Sequence, residues 1–501
     1  MMIKHIILGL DGASLEWIKY YVKGRNLNAF NRLLEESAYC HVKSTIPPIT
    51  PPAWATILTG VNPGKHGIFN FFDLYTGKLR GLIHSKMPLF WEILDYFGFK
   101  SAFLWVPLTY PAWRLDNTIF LSGIIVPDPS LGRNINTKIN VIRAVYPRGI
   151  LKKLLKSGIN PLELIEKPFS IKEFADKIQM KFDIIKLLIR EFDWLDLIFA
   201  VIQETDTIWH VTNDIKAGEL IYSTIDKCLE DLLDFLEEKW EKYRLFIISD
   251  HGTNYMATKG VLVNNFFIEK GFLKGIEIED ITFKILRELL SFPVIRETLN
   301  FIFPHVSTHF LFKMYLRKRK SYLDMDISKS IAYMANIGAS KYAGVVVRNQ
   351  RRINLVKKHL MELKDNSGNI LRAVYKGTEI YKGPFTRKGY SLILEFSNGY
   401  LPVEYIAPSP IIVPLNKIYA HSLYGLFIGY GYDIIKGRYL GKSFSISDFL
   451  PTILSSINLG ILKYFDGEPI LGIFKNASNI NLRKIRIPSS YFSLVRSRRT
   501  L

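Results

Sequence analysis

Seven residues of this 501-residue chain pair reactive side-chain types with positions that can bring them together: Asp11, Thr50, Asp206, His210, Asp250, His251 and His421. Three carboxylates, three imidazoles and one hydroxyl suit two divalent ions held about 4 Å apart. Mixed oxygen and nitrogen donors favour zinc, with manganese the other candidate. Singly, the signals have plainer readings. Asp11-Gly12 can be a turn, Asp206 and His210 a surface acid and a satisfied imidazole, and Thr50-Pro51 an ordinary helix cap. Asp206 and His210 are four apart, so they share a face on a helical turn and can still close on one ion in a loop. The adjacent pair Asp250-His251 at a strand end is more specific, because both side chains emerge where α/β folds place their sites.

Thr50 lies in Ser44-Thr45-Ile46-Pro47-Pro48-Ile49-Thr50-Pro51-Pro52-Ala53-Trp54, which runs on to Thr59-Gly60. Two prolines set an extended approach, Thr50 is expected at the N-cap with Pro51 at the first helical position, and Ala53 to Leu58 form the first turns. The free N–H groups of such a helix end favour a phosphate or an ionised hydroxyl.

The elements that must position these residues follow the same pattern. Ile3 to Leu10 reads as a buried strand that stops at Asp11-Gly12, and Leu27 to Ser37 as a helix. Ser101 to Val106 and Thr118 to Ser122 are candidate strands, and Ser170 to Phe192 is a helix. Trp194 to Gln203 is strand-like and delivers Glu204 to His210. Ile215 to Lys239 is a long amphipathic helix, and the strand from Arg244 to Ile248 leads into Asp250-His251-Gly252. His421 precedes a strand over Leu426 to Tyr430 and a helix over Ser445 to Leu459. This alternation predicts an α/β class. The expected division is 1–270 as the first part of the core, 271–410 as an insertion or cap, 411–475 as the final part of the core, and 476–501 as a basic, mobile or surface-bound tail with Arg496-Ser497-Arg498-Arg499. Within 271–410, Phe301 to Leu316 is apolar and aromatic and then turns into Arg317-Lys318-Arg319-Lys320. That pattern suits an interfacial membrane segment or a core helix with a solvated flank.

Composition sets wider bounds. Hydrophobic residues make up 48% and charged residues 22%, which is globular and excludes disordered or collagen-like classes. A net charge of +20 points to an anionic partner: a phosphorylated substrate, nucleic acid or an acidic membrane surface. Cys40 and Cys228 are expected as buried free thiols of a reducing compartment. The apolar run before Asp11 is too short for a signal sequence and no stretch of about 20 apolar residues follows, so a cytoplasmic protein is expected. There is no fixed-period repeat and no Walker-type loop.

Three sets of spacings carry a resemblance: Thr50-Pro51-Pro52 followed by Thr59-Gly60, Pro63 and His66-Gly67; Asp206-x-x-x-His210; and Asp250-His251-Gly252. Gly425 to Ile428, Asp448 to Leu454 and Phe465-Asp466-Gly467 extend it. On these residues the chain resembles the alkaline phosphatase superfamily, in particular its type I phosphodiesterase/nucleotide pyrophosphatase branch with the related phosphohydrolases and phosphomutases. The resemblance implies an alkaline-phosphatase-like core, with a central mostly parallel sheet flanked by helices and an inserted cap. It implies that Asp11, Thr50, Asp250 and His251 hold one metal and Asp206, His210 and His421 the other. Thr50 would then be the nucleophile of a phosphodiesterase working through a phosphothreonine, a role that metal coordination makes possible for a weak hydroxyl nucleophile.

One position departs from the branch. The asparagine that helps bind the phosphoryl oxygens is there the second of two neighbouring positions, whereas here the first is Asn70 and the second Phe71. Asn70 is the candidate substrate contact, and Lys65, Lys86 and Arg114 are replacements that can equally be surface charges. The resemblance gives His66 no ligand role, and a structural turn is expected there. Thr50-Pro51-Pro52-Ala53-Trp54 lacks the Cys or Ser and the Arg of a sulfatase. The alternatives are a phosphomonoesterase or phosphomutase of the same superfamily and, from another class, a basic protein that binds nucleic acid or a membrane surface with a degenerate site.

Overall fold

The computed structural model describes residues 3–25, 27–123, 142–161, 163–164, 170–274, 329–335, 340–403, 406 and 410–497. The run Phe301 to Leu316, the basic cluster Arg317 to Lys320, and Arg498 and Arg499 lie outside these residues.

A ten-stranded sheet forms from β1 (Lys4–Leu10), β2 (Ala38–Lys43), β3 (Ser101–Val106), β4 (Thr118–Ser122), β5 (Val145–Tyr146), β6 (Leu197–Ile202), β7 (Tyr243–Ile248), β8 (Tyr424–Gly431), β9 (Arg438–Tyr439) and β10 (Phe444–Ser445). Its order is β9-β2-β8-β7-β1-β6-β3-β4-β5, with β10 also on β2. Strands β7, β1, β6, β3 and β4 run parallel to one another, while β8 is antiparallel to both β7 and β2 and β5 is antiparallel to β4. Continuous apolar runs such as Leu197–Ile202 are what a parallel strand covered on both faces requires. The flanking helices include α1 (Leu15–Arg25), α2 (Asn28–Glu36), α3 (Thr50–Thr59), α4 (Ile171–Glu191), α5 (Glu204–Val211), α6 (Ile215–Lys239), α7 (Phe449–Ser456) and α8 (Ser489–Ser497). Ser170 accepts from the Glu173 N–H at 3.2 Å and Asp214 from the Lys216 N–H at 2.9 Å, which fixes where α4 and α6 start.

The chain divides into two compact units. Met1–Tyr255, Tyr381–Gly389 and His421–Leu501 form the first; Met256–Ile380 and Tyr390–Ala420 form the second. The sheet of β1 to β10 and all seven residues singled out above belong to the first. The second contains a four-stranded antiparallel sheet, ordered Leu371–Lys376, Leu392–Phe396, Tyr342–Val347, Ala332–Met334. Its bounds differ from 271 and 410, because neither Met256 nor Tyr381–Gly389 carries a change of composition that marks a border.

Three local expectations need correction. The strand expected over Trp194 to Gln203 is confined to Leu197–Ile202, with Trp194 exposed. The helix expected over Ser445 to Leu459 is confined to Phe449–Ser456, because Asp448 accepts the Ser445 N–H at 2.8 Å and holds the first turn as a separate 3₁₀ turn. The polar C-terminal segment is packed rather than loose. Phe492 and Val495 of α8 are buried, and Arg496 forks onto the fully buried Glu92 at 2.7 and 2.8 Å while donating to the Ser85 and Met87 carbonyls. The apolar spacing of α8 is obscured in sequence by its serines and arginines. Among the described residues no helix is long and apolar enough to cross a membrane.

Candidate active site

The topology explains why residues separated by hundreds of positions meet. In the register of β7, β1 and β6, Gly9 pairs with Ile248 and Leu10 with Ile202, so the carboxyl ends of three adjacent strands are level. Asp11 follows β1, Asp250 and His251 follow β7, and α5 with Asp206 and His210 follows β6. Because β8 is antiparallel to β7, its amino end lies at that same edge, and His421 stands three residues before it. Strand β2 is antiparallel to β8 and so ends there too, followed by the proline-rich approach to Thr50.

Six of the seven residues form two groups whose ligand atoms lie within 4.8 Å of one another: Asp11, Asp250 and His251, and Asp206, His210 and His421. In the first, His251 Nε2 is 3.3 Å from Asp250 Oδ2 and 3.8 Å from Asp11 Oδ1. In the second, His421 Nε2 is 3.2 Å from His210 Nε2 and 3.2 Å from Asp206 Oδ1, and His210 Nε2 is 3.0 Å from Asp206 Oδ2. The groups adjoin, since the His251 and His421 rings stack with centroids 3.9 Å apart. Helix α5 makes Asp206 and His210 neighbours by its i, i+4 spacing.

Backbone carbonyls set two tautomers. His421 Nδ1 donates to Pro48 O at 3.0 Å and His251 Nδ1 to Gly252 O at 3.2 Å, which turns each Nε2 lone pair inward. Asp11 Oδ2 accepts the Trp54 indole N–H at 3.0 Å and Asp250 Oδ1 accepts the Gly12 N–H at 3.1 Å, leaving the other oxygen of each for the site. Gly12 has φ +67, and a Cβ there would come within 2.7 Å of Asp206 Oδ1, so glycine is required where β1 ends.

The electrostatics ask for positive charge. Asp11 Oδ1, Asp206 Oδ1, Asp250 Oδ2 and His251 Nε2 are buried side-chain atoms without a hydrogen-bond partner. Burial, reinforced by the neighbouring carboxylates, pushes Asp11 and Asp250 well above the usual carboxylate range. Asp206 is held below it: burial opposes this, but the His210 and His421 rings outweigh burial. Burial also depresses His251 to about 3, which keeps its imidazole neutral as a ligand must be. Orphaned acceptors, inward-turned imidazole nitrogens and three close carboxylates fit divalent cations, which restore what desolvation takes away.

Thr50 is buried at the amino end of α3, between two anchors. Pro48, two residues before it, binds His421 of one group, and Trp54, four residues after it, binds Asp11 of the other. The helix begins one residue earlier than expected. Ile49 is the N-cap, in extended conformation, and its carbonyl accepts the Ala53 N–H at 3.2 Å, which makes Thr50 the first helical residue. Pro51 and Pro52 have no N–H, so this helix end offers few backbone donors and an anion there must draw on other partners.

The remaining sequence candidates separate. Asn70 is buried and its Oδ1 accepts the Phe71 N–H at 2.7 Å. Lys65 pairs with Asp466 and donates to Tyr464 O, and Arg114 is exposed. Lys86 is exposed on the wall of a cavity shared with Phe69 and Arg80. His66 is buried, with Nδ1 accepting the Ile68 N–H at 3.1 Å and Nε2 on Thr56 Oγ1 at 3.1 Å, so it braces α3 as a structural residue. The contacts of Trp54 and Pro48 went unread in the sequence. Both stand in the stretch around Thr50, but nothing in a linear sequence aims an indole at Asp11 or a carbonyl at His421.

Sheet, helices and two ligand groups at the carboxyl edge define a phosphohydrolase of the alkaline-phosphatase-like fold. Residues 5–413 match the family model described as type I phosphodiesterase / nucleotide pyrophosphatase, and the chain belongs to that family. Comparison with curated protein sequences returned no match. Among solved structures, human ectonucleotide pyrophosphatase/phosphodiesterase 5 is similar at 14% identity and TM-score 0.52, over 93% of this chain and 97% of that one. Phosphonoacetate hydrolase from Sinorhizobium meliloti, in complex with phosphonoacetate, is similar at 13% identity and TM-score 0.54, over 89% and 94%. An inactive threonine-to-alanine variant of the murine phosphodiesterase 5, in complex with AMP, is similar at 14% identity and TM-score 0.50, over 91% and 95%. At these identities the neighbours speak for the fold.

Proposed function

We propose that this enzyme hydrolyses phosphodiesters through a phosphothreonine on Thr50, with Asp11, Asp250, His251 and Thr50 serving one divalent ion and Asp206, His210 and His421 a second, zinc in the first instance. The observation that carries this reading is the set of four buried, partnerless ligand atoms on the two groups that anchor Thr50 from either side. The ions, when bound, supply the positive charge that lowers the pKa of the Thr50 hydroxyl and stabilises charge on the entering and leaving oxygens.

The residues of the chain do the rest. Thr50 Oγ1 gives up its proton to solvent and bonds to phosphorus as the bond to the leaving oxygen breaks, and the leaving oxygen takes a proton back from solvent. A water oxygen then bonds to phosphorus, the bond to Thr50 Oγ1 breaks, and the hydroxyl is restored. Trp54 and Pro48 hold Asp11 and His421 in place through both steps. Asn70 is the candidate contact to the phosphoryl oxygens through its amide nitrogen, since its Oδ1 is engaged with Phe71. A diester is favoured over a monoester because no arginine stands near Thr50 in the sequence to clamp a dianion.

The test is a side-by-side assay of an aryl phosphodiester, an aryl phosphomonoester and an aryl sulfate on metal-loaded protein, with acid-quenched peptides searched for phosphorylated Thr50. The diester should show the highest kcat/KM and the phosphate should appear on Thr50. A higher kcat/KM for the monoester overturns the specificity, and phosphate on another residue overturns the nucleophile.

A further inference from the structure

Between Gly67 and Lys86 the chain builds a second feature that none of the seven ligand or nucleophile residues enters. Phe71 to Arg80 folds back on itself: the Arg80 N–H donates to Phe71 O at 2.7 Å, the Asp73 N–H to Lys78 O at 2.8 Å, and Phe72 bridges Leu79. Asp73 organises the turn by accepting from the Tyr75 and Thr76 N–H groups and the Thr76 hydroxyl, and it pins the Arg80 guanidinium. The resulting hairpin, the Gly67–Phe69 segment and the Phe385–Lys388 turn enclose a cavity of about 110 Å³.

Its walls combine two chemistries. Phe69, Phe72 and Phe385 present rings, and Arg80, Lys86 and Lys388 present cations, against the single carboxylate of Asp73. With Arg80 and Asp73 paired, two lysine charges are left over. Lys86 makes no ion pair among the described residues, and Lys388 lies over the Phe385 ring at 5.6 Å. The Phe69 ring is fixed in advance. Phe69 packs edge-on against Tyr381 at 5.1 Å, and a Cβ on Gly389 would come within 2.5 Å of the Phe69 ring, so this turn admits Phe69 only with glycine there. Gly67, at φ +77, lets the chain turn directly under Lys86 and Phe385.

We infer that this cavity is an accessory site for a small phosphate monoester dianion carried on a flat apolar group, with Lys86 and Lys388 matching its charge and Phe69, Phe72 and Phe385 its apolar part. A concavity lined by cations and rings is what such a ligand needs. The site takes the chemistry that diester hydrolysis releases, a monoester, yet needs neither Thr50 nor a metal, so it stands independently of the proposed reaction.

The experiment is calorimetric titration of phenyl phosphate into metal-loaded protein and into the same protein after chelation, at one fixed ionic strength. Binding to one site per chain should survive chelation and the change T50A. The double variant K86A/K388A should weaken it tenfold or more, and methyl phosphate should bind several-fold less tightly than phenyl phosphate. K78A, which removes an exposed lysine of the same hairpin outside the cavity, should change it less than twofold. Loss of all binding on chelation, equal affinity in K86A/K388A, or an equal loss in K78A would each overturn the inference. Thermal unfolding of each variant, unchanged from the parent, shows that a loss is not a loss of fold.

Discussion

In the group of Asp11, Asp250 and His251 every ligand is buried, whereas in the group of Asp206, His210 and His421 the His210 side chain is 45% exposed. The donors are alike and the surroundings are not. In the closed group, burial and neighbouring carboxylates push both acids upward, and the Trp54 and Gly12 N–H donors do not offset that push. In the open group two imidazoles face one carboxylate and hold it down. A bound cation would favour the ionised state of the closed group, while the open group is the one that touches solvent, through His210. Thr50 is tied to both, through Trp54 and Pro48.

The largest effect should come from removing what the groups have in common. If Thr50 is the nucleophile as proposed, Thr50→Ala should lower kcat for an aryl diester by on the order of 10³-fold or more, since the covalent step is lost outright. Metal content should stay within a factor of two of the parent, and a variant that kept a tenth of the activity would detach Thr50 from the chemistry. Next come the groups themselves. Asp250→Asn should weaken the tighter class of divalent ion by at least about 100-fold, beyond the loss known for outer partners. His210→Gln should weaken the other class and leave the tighter one intact in a two-site metal titration. Equal loss of both classes in either variant would erase the distinction between closed and open groups.

A smaller effect belongs to the anchor. Trp54→Phe keeps the ring and removes the N–H that holds Asp11 Oδ2, and should cost about tenfold in metal affinity at the closed group. The same loss at the open group, with the closed one untouched, would contradict the hydrogen-bond pattern.

The smallest effect serves as a control away from both groups. His5, the second residue of β1 and thus toward the opposite sheet edge, is depressed to about 3, by burial first and then by Arg244. Folded His5 stays neutral while the unfolded chain takes up a proton below pH 6.5. Unfolding therefore binds a proton between pH 6.5 and 3, and stability falls as pH falls through that window, by up to about 1.4 kcal/mol per pH unit for one group. His5→Gln should flatten the pH dependence of urea unfolding in that window and leave it unchanged above pH 7. An unchanged slope in the variant would assign the acid sensitivity to other groups.

Much of this was legible in the chain itself, for reasons that are local. Apolar runs bounded by Asp11-Gly12 and by Asp250-His251-Gly252 announce buried strands and put ligand types at their ends. The 3.6-residue period over Ile215–Lys239 gives that helix its observed limits. The i, i+4 spacing of Asp206 and His210 needs only a helical turn, and the prolines before and after Thr50 need only their fixed φ to start α3. The α8 segment was less legible, because burial of Phe492 and Val495 and the fork of Arg496 on Glu92 depend on partners some 400 positions away.

What the sequence determined, then, is the inventory and the local frame: which residue types are available for metal or phosphoryl chemistry, and which strand or helix carries each. Only the tertiary structure decided the grouping and the access. The level register of β7, β1 and β6 and the reversal of β8 bring His421 to Asp206, and packing leaves His210 in solvent while sealing Asp250. Register and burial are set by long-range pairing, and a linear pattern of residue types specifies which faces are apolar without specifying which distant atoms will share a cavity.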